Sequence, residues 1–242
     1  FTDPLMKYHY SQESIPFGGR KEELQKLWDF IEYGDSICWW AVTGQAGAGK
    51  SRLALQMLKQ LPCTWFGFFL NDKASLSDVR NFQPFSHTAI VIDYVGGRED
   101  AVAEIMEALS QVFSSTSYFL RILLLERENS RKTGSWHSKL MRRLGKYHKV
   151  ATAEYKKEFL DIGDLDIWSV ESFIGAVCQA KGLPADKARD CRLREIYGEK
   201  FENLQFRPLF VQIFVESWIE NGFSFPRFDT FEDLLQFLLH RE

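Results

Sequence analysis

The chain has 242 residues, enough for one large domain or two small ones with a sizeable core. Thirty basic against 33 acidic residues leave a formal charge of -3, which argues against a polyanion-binding surface and against nucleic acid as a partner. No apolar run approaches the roughly 20 residues needed to span a bilayer, so no membrane segment is expected.

The first predicted element is a helix from Lys21 to about Tyr33, where Leu24, Leu27, Trp28 and Ile31 recur at helical spacing. Glu22 and Glu23 suit the positive end of its dipole. "GDS" breaks the pattern, and "ICWWAVT" reads as a buried strand. "KSRLALQMLKQL" is a helix ended by Pro62. A second buried strand, "TWFGFFL", covers 64–70 and is followed by a polar stretch through Gln83. "TAIVIDY" (88–94) is a third strand, β-branched and continuous, as expected where both faces of a parallel sheet are covered. "EDAVAEIMEALSQVF" is helical, and "YFLRILLLE" (118–126) is a fourth strand. Strands alternating with amphipathic helices indicate βαβ units and a parallel sheet.

After about residue 162 the pattern turns wholly helical: "DIWSVESFIGAVCQAKG", "ADKARDCRLREIYGEKF", "RPLFVQIFVESWIENG" and "TFEDLLQFLLHRE". Pro208 is tolerable only in the first turn of its helix, and Asp229 with Glu232 can cap the last one. The expected organisation is an extension over 1–15, an α/β domain over 16–162 and a helical domain over 163–242. The four cysteines are sparse and unpaired in spacing, which reads as reduced thiols in a cytoplasmic protein. The five histidines show no metal-ligand spacing. The start at Phe1 and the stop after "LLHRE" read as a piece of a longer protein.

Gly44, Gln45, Ala46, Gly47, Ala48, Gly49, Lys50 and Ser51 match the phosphate-loop pattern between a strand and a helix. Glycines allow the torsions that turn successive N–H groups inward, and the helix points its positive end at the same spot. Lys50 can reach the terminal phosphates and Ser51 can ligate Mg²⁺, with Arg52 following on the helix. Asp93, closing the third strand, is the expected second metal group, because carboxylates there face the ligand crevice of open α/β sheets. The intervening strand over 64–70 separates the two functional strands along the chain.

With these motifs in place the chain resembles the STAND class of signalling ATPases, AAA+ relatives that include the NACHT and NB-ARC groups. The resemblance rests on "PFGGRKEELQKL", the phosphate loop, "VIDYVGGRED", "LRILLLERENSRKTGSW", "RPLFVQIF" and "LLQFLLHRE". It implies a P-loop NTPase α/β sheet sandwiched by helices and followed by a small helical lid, with ATP or ADP and Mg²⁺ as cofactors. It implies that Phe17 to Arg20 lie beside the adenine, that Arg127 senses the terminal phosphate, and that Pro208 presses on the base from the lid. Where the family has Gly-x-Pro, this sequence has Phe206-Arg207-Pro208. Surface charges at Arg127 and Arg20, and a plain helix start at Pro208, remain the alternatives.

Fast hydrolysis needs a carboxylate to orient the attacking water. Many AAA+ motors have one directly after the metal-binding Asp; this chain has Tyr94. Glu99, Asp100 and Glu126 are the remaining acidic candidates. The expectation is a slow ATPase, with catalytic roles for Lys50, Asp93 and Arg127. It would act as a switch in which nucleotide bridges the α/β domain and the lid, and would control self-association and a linked effector. Rival readings are a small-molecule phosphotransferase, with "RENSRKTG" as its lid, and an AAA+-type nucleic-acid loader. Arg142 and Arg143 read as an ordinary basic helix end or as fingers acting in trans.

Overall fold

The computed structural model describes residues 9–12, 15–184, 187, 191 and 206–224. The expected helices over 185–201 and 230–242, the Asp229 cap and most of the 1–15 extension lie outside the described residues. The chain divides into two compact units, one of 21–46 and 50–163, the other of 1–20, 47–49 and 164–242.

The first unit is built on five parallel strands: β1 (Ile37–Thr43), β2 (Trp65–Phe69), β3 (His87–Asp93), β4 (Leu120–Glu126) and β5 (Leu160–Asp161). Their order is β2-β3-β4-β1-β5. Every residue of β1 and β4 is buried, which is why both read as mostly apolar runs without alternation, Arg121 being the one charge inside β4. Six helices accompany the sheet: α1 (Lys21–Ile31), α2 (Lys50–Lys59), α3 (Leu76–Arg80), α4 (Glu99–Ser114), α5 (Trp136–Leu144) and α6 (His148–Ala151).

Successive strand side chains point to opposite faces, so the sheet has two cores. Ile37, Trp39 and Ala41 join Ile90, Ile92, Ile122 and Leu124 in a cluster with Val102, Met106 and Leu140 of α4 and α5. Cys38, Trp40 and Val42 are buried on the α1 side, where the Phe30 and Trp40 rings lie 5.9 Å apart. The adjacent tryptophans therefore belong to different cores. Each indole N–H finds a carbonyl, Trp39 Nε1 at Val150 (2.9 Å) and Trp40 Nε1 at Glu158 (2.8 Å). This satisfies buried donors that would otherwise destabilise the core.

The structure adds three kinds of detail to the sequence reading. The polar stretch before Gln83 contains α3, started by a capping box in which Ser75 and Asp78 bond each other's backbone N–H. Between 136 and 161 the chain forms α5, α6 and β5, with Arg142 and Arg143 in the last turn of α5 as the basic helix end expected there; 127–134, the lid of the phosphotransferase reading, precedes α5. In the α1 region the helix ends at Ile31, short of Tyr33.

In the second unit, α7 (Ile167–Ala180) starts at Asp166, whose Oδ1 accepts the N–H groups of Trp168 and Ser169, both at 2.9 Å. Helix α8 (Pro208–Glu220) has its proline in the first turn, where the missing N–H costs nothing. Val170, Phe173, Ile174 and Val177 of α7 pack with Val211, Phe214, Val215 and Trp218 of α8. No two of the four cysteines form a disulfide; Cys38, Cys178 and Cys191 are buried and Cys63 is exposed. Among the described residues no helix is long and apolar enough to cross a membrane.

Candidate functional site

The C-terminal ends of β1, β3, β4 and β5 are aligned by register: Thr43 pairs with Glu126 and with Asp161, and Asp93 with Leu125. The phosphate loop leaves this edge at Gly44 and enters α2 at Lys50. Backbone from the end of β5 passes close by, with Ile162 N–H donating to Thr43 O at 2.8 Å. A Cβ on Gly44 would lie 2.5 Å from Ile162 O, so the loop needs glycine there. Gly47, at φ +79, turns the chain through a conformation that other residues resist.

Lys50 is buried, and its Nζ donates to Gly44 O (2.5 Å) and Gln45 O (3.2 Å). Burial lowers its pKa; Asp93 raises it, and the nearby Arg127 cation lowers it further. An ammonium held over the loop's own carbonyls and beside a second cation is matched to an anion. Gln45 and Ala46 are exposed at the turn of the loop, while Arg52 is half-buried in the first turn of α2. The first turn of α2 presents N–H groups that no helix carbonyl accepts.

Ser51 Oγ donates to Asp93 Oδ2 at 2.7 Å, so the structure brings the two expected metal groups together. Asp93 Oδ1 accepts the Tyr94 N–H at 3.0 Å. Burial raises the Asp93 pKa, while Ser51, the Tyr94 amide and Lys50 pull it down. A hydroxyl and one carboxylate form the hard-oxygen donor set that Mg²⁺ uses when phosphates and waters complete its shell. Among the described residues no group of three or more His, Cys, Asp or Glu forms an all-protein metal cage.

Three loop residues engage the second unit, to which they belong. Arg20 Nη2 donates to Ala48 O at 3.2 Å, Leu209 N–H donates to Gly47 O at 3.3 Å, and Pro208 Cγ lies 3.7 Å from where a Gly49 Cβ would be. Phe17 is half-buried in that unit.

Arg127 follows β4 and is exposed. Its Nη2 donates to the Tyr94 hydroxyl at 2.9 Å, and its Cζ lies 5.0 Å from the Tyr94 ring centroid. The three carboxylates weighed as bases are each engaged elsewhere. Glu126 accepts the Gly96 N–H (2.5 Å) and the Arg127 N–H (2.6 Å). Glu99 is buried at the start of α4 with Lys139 Nζ 3.9 Å away. Asp100 is paired with Arg143, whose Nη2 is 2.5 Å from Oδ2. Sequence reasoning missed Glu126 as a tether of the loop after β3. It also missed Tyr94 as the partner of Arg127 and Asp161 as the acceptor of the Thr43 hydroxyl at 2.8 Å. The position of Tyr94 beside Asp93 was the one available signal.

No family model and no curated protein matches the sequence. Solved structures do match. Domain III of the replication initiation protein DnaA of Thermotoga maritima aligns at TM-score 0.52 and 12% identity, covering 98% of this chain and 97% of that one. The Orc1 protein of Aeropyrum pernix, in complex with DNA, aligns at 0.54 and 11%, covering 91% of this chain and 65% of that one. Cdc6p of Pyrobaculum aerophilum aligns at 0.52 and 8%, covering 89% and 66%. The chain thus spans about two thirds of the last two. With the five-stranded parallel sheet and its order, these likenesses give the fold of the α/β domain as that of AAA+ P-loop ATPases.

Proposed function

We propose that the chain binds an adenine nucleotide with Mg²⁺, hydrolyses it slowly, and serves as a STAND-type switch whose nucleotide state controls self-association and a linked effector. The observation that carries the nucleotide reading is the 2.7 Å contact between Ser51 and Asp93 beside the buried Lys50. In this reading the backbone N–H groups from Gly44 to Ser51 hold the phosphates and Lys50 neutralises the terminal ones. Ser51 and Asp93 hold the metal, and Arg127 meets the γ-phosphate. Bound Mg²⁺ would supply positive charge to the β- and γ-phosphate oxygens. Slow turnover is supported by the structural engagement of Glu99, Asp100 and Glu126, and by Tyr94 standing where a motor carries an acid. Lys50→Ala is expected to weaken ATP binding at least about tenfold by calorimetry; unchanged affinity would overturn the reading. Turnover above about ten per second in the wild-type chain would replace the switch with a motor.

A second reading, an AAA+-type ATPase acting on nucleic acid, is favoured by two observations. The DnaA and Orc1 likenesses are one, and the Orc1 structure holds DNA, so the expectation against nucleic acid gains no support there. The other is charge placement: between residues 131 and 157 basic side chains recur, including exposed Lys132, Arg142, Lys146, Lys149 and Lys157, while Glu154 is the single acid. Binding to duplex DNA that weakens steeply with salt would support this reading, and no binding at low salt would remove it.

A further inference from the structure

Tyr94 adopts φ +57, a left-handed conformation uncommon for an aromatic residue. Its N–H holds it there by donating to Leu125 O (3.1 Å) and Asp93 Oδ1 (3.0 Å). Packing does not account for the strain, since the side chain is 49% exposed. Instead the ring lies against the Arg127 guanidinium, and the hydroxyl accepts its Nη2–H at 2.9 Å.

One buried carboxylate, Glu126, accepts the N–H groups of Arg127 and of Gly96, two residues beyond Tyr94, and so ties the loop after β3 to the end of β4. Arg127 follows β4, the strand that lies between β3, which ends in Asp93, and β1, which leads into the phosphate loop. Its charge is felt at Lys50. Among the described residues its side chain makes no other hydrogen bond. The face and one edge of the guanidinium are used, and the remaining N–H donors are available to an anion.

We propose that Tyr94 is a positioning residue that holds Arg127 oriented for a terminal phosphate, so that the pair makes the site prefer a triphosphate over a diphosphate. This rests on the nucleotide reading above. An exposed arginine loses rotamer freedom when it grips a phosphate, and stacking on a rigid ring has already removed much of that freedom.

The test is the ratio of ATP to ADP affinity, measured by calorimetry in the wild-type chain and in Tyr94→Phe, Tyr94→Ala, Arg127→Ala and the Tyr94→Ala/Arg127→Ala double variant. Arg127→Ala is expected to lower the ratio about tenfold. Tyr94→Ala is expected to lower it about two- to fivefold, and Tyr94→Phe, which keeps the ring, less. The double variant is expected to match Arg127→Ala alone. Tyr94→Gly, for which φ +57 is unstrained, replaces the alanine variant should that one melt early. An unchanged ratio in Tyr94→Ala, or a further drop in the double variant, would overturn the proposal. Wild-type binding that Lys50→Ala abolishes, with a flat Tyr94 series, would overturn this proposal and leave the nucleotide reading standing; no wild-type binding would overturn both.

Discussion

Asp93 shows how one side chain carries opposing demands. It must be ionised to hold a cation, yet burial raises its pKa, and the Ser51 hydroxyl, the Tyr94 amide and Lys50 only partly offset this. An acid whose folded pKa is raised binds more protons when folded. Its stability cost is therefore absent at low pH, appears as pH rises through the window between the two values, and is complete above the folded one. If Asp93 holds the metal, the Mg²⁺-dependent gain in nucleotide affinity should accordingly fade as pH drops, and at a higher pH than for an ordinary aspartate. Asp93→Asn should abolish the gain and raise the melting temperature of the nucleotide-free protein; titration at two Mg²⁺ concentrations across pH checks both. The meeting of Ser51 with Asp93 beside Lys50 was legible, because the phosphate-loop spacing and the strand-end position of the aspartate place them at one edge of the sheet. The conformation of Tyr94 was not, since hydrogen bonds to residues beside it and on β4 impose a torsion that tyrosine does not favour.

At the scale of elements, Arg121 links a strand to a helix end. It is fully buried on the α1 face of β4, where its guanidinium donates to the carbonyls of Phe30 (3.0 Å), Ile31 (3.2 Å), Tyr33 and Asp35 (2.8 Å). Carbonyls at a helix C-terminus lack intrahelical partners, and a cation there also meets the negative end of the dipole. The Trp65 and Phe119 rings flank the guanidinium at 5.7 and 5.3 Å. Nearby, burial pushes the Cys38 thiol up to about 12, so it stays a neutral core group. Arg121→Met leaves several buried acceptors unpaired, and should lower unfolding free energy by about 3 kcal/mol or more in a urea titration. Strands β1, β3 and β4 could be read as runs because burial on both faces makes them mostly apolar, with Arg121 the exception inside β4. Strand β5 could not: two residues carry no period. Helix α5 carried the signal of Trp136, Leu140 and Leu144 one turn apart behind a Ser135 cap.

For the whole molecule, strand order is what brings the site together. The sequence places β2 between the loop and Asp93 along the chain, but in space it is β4 that stands between β1 and β3. Pairing across β4 depends on long-range packing that residue patterns do not report. If nucleotide binds the folded chain alone, MgATP at about a hundredfold over its Kd should add about 2.7 kcal/mol. That should raise the melting midpoint by about 5 to 10 °C; Lys50→Ala at the same MgATP concentration should show about half that shift or less in the same thermal scan. Among the described residues β2 pairs only with β3, and it contains neither charge nor proline. Beside it the Phe66 and Phe85 rings are exposed and 5.2 Å apart. Open strand borders in native proteins are usually blunted by lysine, proline or a bulge. Raising the protein concentration is therefore expected to bring intermolecular ribbon-to-ribbon adhesion at this border before any loss of native structure, which light scattering across a dilution series checks.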